Sequence, residues 1–363
     1  MIVHVLPPAC QVTNLFKMAK NHSNSSQTDQ NGWLREWIQG KREENFDQAA
    51  RRIFQHQYHQ IPPYKRYADH LNLTPNNITH WKEIPAVPTN AFKDPNNPLT
   101  SGISPAKTFL TSGTTGETRG AHHFPETSLY ELAIDHGWPL LQLPKLPTFF
   151  LTPSAEEAPQ SSLSHMFAHL NNGAGERFLI RDNKFHLQPL YHHLTTNKPL
   201  ILMGTALAFL HLMETLGPIP LPAGSHLLET GGYKGTTHTL SKETLYQDLA
   251  SHFSLPLDHL HNEYGMTELS SQAYSTGPNG AHRYPHWVRY QILDPETNAE
   301  LPPGELGYLI IYDLANLHTV SAIRTQDLAI GHPDGSFTLI GRDPSALPRG
   351  CSRSIDEALT KTH

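Results

Sequence analysis

The spacing of apolar and polar positions divides the chain into regions of different texture. Residues 1–32 are rich in Asn, Ser and Gln and carry no sustained period, which predicts a polar flexible leader. From Trp33 to Tyr58, the residues Leu34, Trp37, Ile38, Phe46, Ile53 and Phe54 recur at helical spacing, which predicts amphipathic helices ending at Ile61-Pro62-Pro63-Tyr64. Ile84 to Thr89 is punctuated by two prolines. Proline lacks an amide proton and pushes its predecessor out of the helical region, so this stretch reads as extended. Ser128 with Glu131 reads as a capping box, opening a helix that carries Leu129, Leu132, Ala133 and His136 on one face. Four short apolar runs have the length of buried strands: 148–151, 200–203, 226–228 and 309–312. Helical patterns start between them at Thr205 and at Ser241, the second carrying Leu245, Leu249 and Phe253. The middle of the chain therefore reads as layered α/β. Residues 288–293, 305–312 and 337–340, with Asp334-Gly335 as a turn, predict a small antiparallel β unit. We find no internal repeat. The organisation expected is one core over 33–342 followed by a short tail, 343–363.

One segment departs from this patterning. Thr111 to Gly120 reads Thr-Ser-Gly-Thr-Thr-Gly-Glu-Thr-Arg-Gly, directly after Phe109-Leu110 and directly before the capped helix. Its glycines allow close backbone approach to an anion, its hydroxyls add donors, and Arg119 adds charge. Thr111, Ser112, Gly113, Thr114, Thr115, Gly116 and Arg119 are therefore candidate phosphate contacts. A solvated Gly/Ser/Thr turn is the competing reading. A Walker A loop is excluded, because no lysine follows the second glycine.

Composition narrows the classes. The chain has 363 residues, 27 Lys and Arg against 33 Asp and Glu, and a net charge of -6. No Lys/Arg stripe is present to neutralise a phosphate backbone, which argues against nucleic acid as a partner. The longest apolar run, 200–213, is too short to cross a bilayer. No signal peptide is readable, and a cytoplasmic location is expected. The two cysteines, Cys10 and Cys351, lie too far apart in too long a chain to form a disulfide framework. The 25 histidines are scattered, without the companion ligands a structural metal site requires.

Three later segments bear on the loop. In Asn262-Glu263-Tyr264-Gly265-Met266-Thr267-Glu268, Tyr264 offers a flat face to a base and Gly265 allows close approach. Thr267 can contact phosphate, and Glu268 can hold a hard cation such as Mg²⁺. An ordinary strand-to-helix corner is the alternative. In Arg324-Thr325-Gln326-Asp327 the carboxylate can accept both hydroxyls of a ribose. Gly341-Arg342-Asp343 follows the hairpin and supplies a guanidinium.

Together and in this order, these segments resemble the adenylate-forming superfamily of acyl-CoA synthetases, luciferases and peptide-synthetase adenylation domains. Gly304-Glu305-Leu306-Gly307 adds to the likeness. A narrower resemblance, to LuxE-type acyl-protein synthetases, lies in the segments 85–93 and 161–163, in Thr230-Gly231-Gly232-Tyr233-Lys234-Gly235 and in Arg349-Gly350-Cys351-Ser352. The resemblance implies the large N-terminal domain of these enzymes, with mixed sheets, helices and a small β unit, the mobile C-terminal domain being truncated. It implies ATP and Mg²⁺ as cofactors, with Glu268 holding the metal. Gly231 and Gly232 would line the adenine pocket, and a fatty or other carboxylic acid would be activated as acyl-AMP. Cys351 would be acylated, and a reductase-like partner or a carrier protein would take the acyl group.

The sequence departs from the broader pattern at three places. Arg119 stands where a lysine is usual, and Gln326 where a glycine is. Only residues 343–363 follow Arg342, so a cation other than the usual C-terminal lysine must act; Lys234 and Lys93 are the candidates. Two rival readings stay open, a ligase that hands the acyl group to CoA or a carrier, and a non-catalytic acyl- or nucleotide-binding protein.

Overall fold

The computed structural model describes residues 31–102, 104–111, 118–171, 175–231 and 241–343. Two compact units divide between Glu44 and Asn45. The first contains a helix over 31–38, α1, in which Trp33 and Trp37 stack at 5.9 Å and the Trp33 indole N–H donates to Glu44 at 2.9 Å.

The second unit starts with α2 (Phe46–Gln60), capped by the Asn45 side chain, and α3 (Pro62–His70). The prolines expected to end a helix at Ile61 also start the next one. They occupy its first two positions, where a missing amide proton costs nothing.

The strands that follow form two five-stranded sheets and two small hairpins. In chain order they are β1 (Val87–Pro88), β2 (Lys107–Leu110), β3 (Ala121–Phe124), β4 (Thr148–Leu151), β5 (Ile180–Arg181), β6 (Lys184–Phe185), β7 (Ile201–Thr205), β8 (His226–Thr230), β9 (Leu260–Tyr264), β10 (Ala273–Thr276), β11 (Val288–Leu293), β12 (Leu306–Asp313), β13 (Ala322–Gly331) and β14 (Phe337–Arg342). The remaining helices are α4 (Ser128–Gly137), α5 (Ser162–Leu170), α6 (Gln188–Leu194), α7 (Ala206–Thr215) and α8 (Lys242–Phe253).

The first sheet has the order β10-β9-β8-β7-β4, parallel except for β10 at its edge. Parallel strands covered on both faces read as continuous apolar runs, and β4, β7 and β8 do. Alternate residues face opposite layers. Phe149, Leu151, Leu202 and Leu227 join Phe209, Leu249 and Phe253 in one core, while Phe150, Met203 and Leu228 join Phe109, Tyr130, Met166 and Phe167 in the other. Helix α7 is capped by Thr205 and α8 by Ser241, as their sequences predict.

The second sheet has the order β1-β13-β12-β11, with β14 on the far part of β13. The expected antiparallel unit is its nucleus, but the sheet is larger. Its longest strand, β13, was not foreseen, and the proline-rich segment supplies β1, paired parallel to it.

Two local expectations are corrected. Ser128 is the first residue of α4 rather than its cap, and no capping box forms. Thr127 precedes the helix and spends its hydroxyl on Glu131 at 2.8 Å. The buried stripe of α4 is Leu129, Tyr130, Ala133, Ile134 and Gly137, so His136 faces solvent and Leu132 is half-buried.

Gln57 of α2 holds the segment after β12. Its buried amide donates to the carbonyls of Asn316 and Thr319 at 2.6 and 2.5 Å, and its oxygen accepts from the amide and hydroxyl of Ser321. A Gln57→Leu substitution strands these buried groups, so a loss of about 2–3 kcal/mol of stability is expected in thermal or urea unfolding.

Candidate active site

The parallel strands β7, β8 and β9 end at Thr205, Thr230 and Tyr264, and open α/β sheets place ligands in the crevice beyond such ends. Tyr264 is buried edge-on to Phe337 at 5.9 Å, and its hydroxyl donates to Asp327 Oδ2 at 2.7 Å. Asp327 belongs to β13 of the other sheet and lies cross-strand from Arg342 of β14. Two candidate segments 63 residues apart therefore meet in one hydrogen bond. Arg342 donates to the Gln326 side chain at 2.6 Å, and the Asp343 amide donates to the Gln326 carbonyl at 3.0 Å. The Asp343 carboxylate accepts from the Tyr308 hydroxyl, which ties down the end of β14.

Beyond Tyr264 the chain turns through Gly265. A Cβ at this position would collide with Glu263 Oε1, so a larger residue here would displace that carboxylate. Thr267 and Glu268 are buried. The Thr267 carbonyl accepts from His122 Nδ1 at 2.7 Å. Burial pushes the His122 imidazole down to about 3, so it is neutral, and the carbonyl partner places its proton on Nδ1. His122 lies in β3, the outgoing arm of the glycine-rich loop, and this bond ties that loop to the Tyr264–Glu268 segment.

Below the segment stands a buried carboxylate. Asp313, at the end of β12, accepts from the amides of Ser270 and Ser271 and from the Ser271 hydroxyl, each at 2.8 Å. Burial raises its pKa, and these hydrogen bonds oppose the rise by favouring the ionised form. Asn316 donates to the Glu268 carbonyl at 2.9 Å and accepts from the Ser270 hydroxyl at 2.6 Å. The loop carrying Thr267 and Glu268 is thus fixed from beneath by β12.

The neck of the 111–120 loop is closed by two bonds. The Thr111 amide donates to the Gly120 carbonyl at 2.8 Å, and the Gly120 amide to Thr111 Oγ1 at 2.7 Å. Arg119 folds across it, donating to the carbonyls of Thr111 and Leu110 at 2.5 and 3.2 Å. Phe92 packs on His122 at 5.8 Å, which brings the turn ending at Lys93 to the same hairpin. Gly231 follows β8 with φ +78°, a left-handed conformation suited to glycine. Ser112, Gly113, Thr114, Thr115, Gly116, Gly232, Lys234 and Cys351 lie outside the described residues. Among the described residues no group of three or more His, Cys, Asp or Glu is arranged to hold a metal.

The structure adds residues that the sequence pattern did not single out. Glu229 of β8 and Glu263 of β9 are both buried, and burial pushes both carboxyls up to about 7. His122, Asp313 and Asn316 were likewise missed. Their signal was a charged or amide residue inside or just after a strand-length run, which becomes informative only once strand pairing is known.

The strand leaving the glycine-rich loop, the Tyr264 turn, Asp327 and Arg342 are thus linked by the His122–Thr267 and Tyr264–Asp327 hydrogen bonds and by the pairing of β13 with β14. A family model described as AMP-binding enzyme matches residues 17–314. The chain belongs to this family of AMP-binding enzymes. Over 357 residues this AMP-binding enzyme is 21% identical to the long-chain-fatty-acid–luciferin-component ligase of Aliivibrio fischeri, covering 90% of the chain and 92% of that protein. Among solved structures it is similar to 2-hydroxyisobutyryl-CoA ligase in an open conformation with 2-HIB-AMP and CoA. The TM-score is 0.60 at 15% identity, over 83% of this chain and 74% of the other. The same ligase in the postadenylation state gives a TM-score of 0.59 at 14% identity, over 83% and 67%. These likenesses match the fold to the large N-terminal domain of adenylate-forming enzymes. As an AMP-binding enzyme related to ligases, the chain falls in the class of AMP-forming acid–thiol ligases, whose activity is ATP-dependent acyl adenylation. Among the described residues, no helix is long and apolar enough to cross a membrane.

Proposed function

We propose that this enzyme activates a carboxylic acid as acyl-AMP and then loads the acyl group onto its own Cys351, for delivery to a reductase-like partner. The observation that carries the first half is the Tyr264–Asp327 hydrogen bond. It orients a carboxylate, the group that holds ribose hydroxyls in other nucleotide sites, at the end of β9, and Tyr264 adjoins the turn at Gly265. The acid's carboxylate oxygen attacks the α-phosphorus of ATP, the bond to the bridging oxygen breaks, and pyrophosphate leaves. In this reading Thr111 to Gly116, Arg119 and Thr267 would contact the phosphates and Gly231 and Gly232 the base, while Arg342 lies cross-strand from Asp327. Lys234 supplies the cation that the activated carboxylate needs. Glu268 suits Mg²⁺ in a site completed by the nucleotide's own phosphates, since Mg²⁺ commonly takes one or two carboxylates there rather than a protein cage. The metal would neutralise phosphate charge.

In the second half the Cys351 thiolate attacks the acyl carbonyl and AMP leaves with the bonding electrons. The sequence around Cys351 and the ligase relative support this half. The relative's name also supports a long-chain fatty acid as substrate.

Carboxylate-dependent exchange of labelled pyrophosphate into ATP tests the activation step. Exchange well above background is expected with the right acid and none without it. Measurable ATP binding with no exchange from any acid in a broad panel would make the chain a nucleotide-binding protein instead.

A further inference from the structure

Beyond the ends of β7, β8 and β9 lies a cleft of about 50 Å³, bounded on its other side by Tyr130 of α4 and by Leu163 and Met166 of α5. Strand register decides which polar groups reach it. Thr230 pairs with Glu263 and Glu229 with Asn262, so the two carboxylates turn to opposite faces of the sheet. Glu229 turns to α8, where it accepts from the Tyr246 hydroxyl at 3.1 Å and from Asn262 at 2.6 Å. Glu263 turns to the cleft.

Part of the hydrogen-bonding capacity of the cleft is spent within the protein. The Thr230 hydroxyl is spent on Glu263 Oε2, and the Tyr130 hydroxyl on the Ser162 carbonyl at 3.1 Å. Thr205 Oγ1 accepts from the Ala208 amide at 3.1 Å. Acceptor capacity stays open on two side chains. Glu263 is only 4% exposed, and its Oε1 accepts no hydrogen bond from any described residue. Gln272 Oε1, also in the cleft wall, is buried without a hydrogen bond. A buried carboxylate with an open oxygen carries a desolvation penalty that hydrophobic residues of similar size would avoid, and such groups are retained where a ligand completes them. Burial and the nearby Glu229 push the Glu263 carboxyl up to about 7, so a donor or cation in the cleft would hold it ionised.

We infer that Glu263 is a specificity-determining residue, and that the cleft takes a carboxylic acid whose chain bears a hydrogen-bond donor, a hydroxyl or an amine, which donates to Glu263 Oε1. This rests on the acyl-activating function proposed above and refines its substrate class away from unsubstituted alkyl acids. A cleft built to accept a hydrogen bond rejects an analogue without the donor more strongly than an apolar cleft rejects an added hydroxyl, because the protein acceptor is then left buried and unpaired.

The test is pyrophosphate exchange on the full chain with straight-chain acids of graded length, each compared with its hydroxy and amino counterparts. The best donor-bearing acid is expected to exceed the unsubstituted acid of the same length by about 10–100-fold in kcat/KM, as for a hydrogen bond to a charged group. The hydroxy and amino arms identify which donor is used. Glu263→Gln, nearly isosteric, should erase most of that preference through the KM of the acid and leave the KM of ATP unchanged. Wild-type preference for unsubstituted acids overturns the inference while acyl activation stands, and needs no variant to fold. An unchanged preference in a folded Glu263→Gln protein overturns it too. A rise confined to the KM of ATP overturns it by giving Glu263 to the nucleotide. Absence of exchange with every acid overturns acyl activation itself and this inference with it.

Discussion

A Cys351→Ala variant keeps carboxylate-dependent pyrophosphate exchange at the wild-type rate and loses the hydroxylamine-labile acyl label that wild-type protein acquires from ATP and the acid. The label should fall to background, at least ~100-fold, because a nucleophile is removed rather than weakened. An acyl-adenylate is a mixed anhydride, so a thiolate needs little further help to expel AMP. A free thiol is only a few per cent ionised at neutral pH, and Arg349 and Arg353 flank Cys351 in the sequence with the charge that would favour the thiolate. The proposed activation step uses residues around Tyr264 and Asp327 and not Cys351, so exchange should survive. Full labelling of the variant would sink self-acylation. Thioester formed on added CoA, with no protein label in the wild type, would place the enzyme among ligases that use a diffusible thiol. The same experiment on Cys10→Ala serves as control, and the label should persist.

The sheets and the site differ in how far the sequence reveals them. Strands β4, β7 and β8 are legible because burial on both faces makes them apolar throughout, and α7 and α8 because Thr205 and Ser241 cap them. Strand β9 is hidden. Its sequence, Leu-His-Asn-Glu-Tyr, is buried at every position yet mostly polar, since its side chains serve the site and the Glu229–Asn262–His282 network rather than the core. Strand β13 is hidden for a similar reason, because Arg324, Gln326 and Asp327 interrupt its period where it borders the site. Its pairing with Val87 and Pro88 spans more than 200 residues of sequence, a contact no local pattern carries. The capping box at Ser128 failed because Thr127, one residue earlier, competes for Glu131. Polar residues displaced from core patterning thus mark the site, and they are also what obscured the strands that hold it.

An Asp327→Ala variant is expected to lose roughly 10²–10³-fold in kcat/KM for ATP in pyrophosphate exchange. The Asp327 carboxylate accepts from the Tyr264 hydroxyl at Oδ2, and the two ribose hydroxyls are the partners the proposed function gives it. Hydrogen bonds to a charged group contribute about 1.5–3 kcal/mol each, and the loss of two partly solvated ones accounts for a change of this size. Tyr264→Phe should cost less, about 3–10-fold, because the phenol positions Asp327 without itself being the ribose acceptor. Strand β13 is paired on both sides and Asp327 is half-buried, so Asp327→Ala should fold and melt near the wild type. The decisive comparison uses 2′-deoxy-ATP and 3′-deoxy-ATP. Each should be a poorer substrate than ATP for the wild type and should lose most of that handicap in Asp327→Ala, since the partner of the missing hydroxyl has gone. Equal handicaps in both proteins would separate Asp327 from the ribose and leave its bond to Tyr264 as a structural tie between the two sheets.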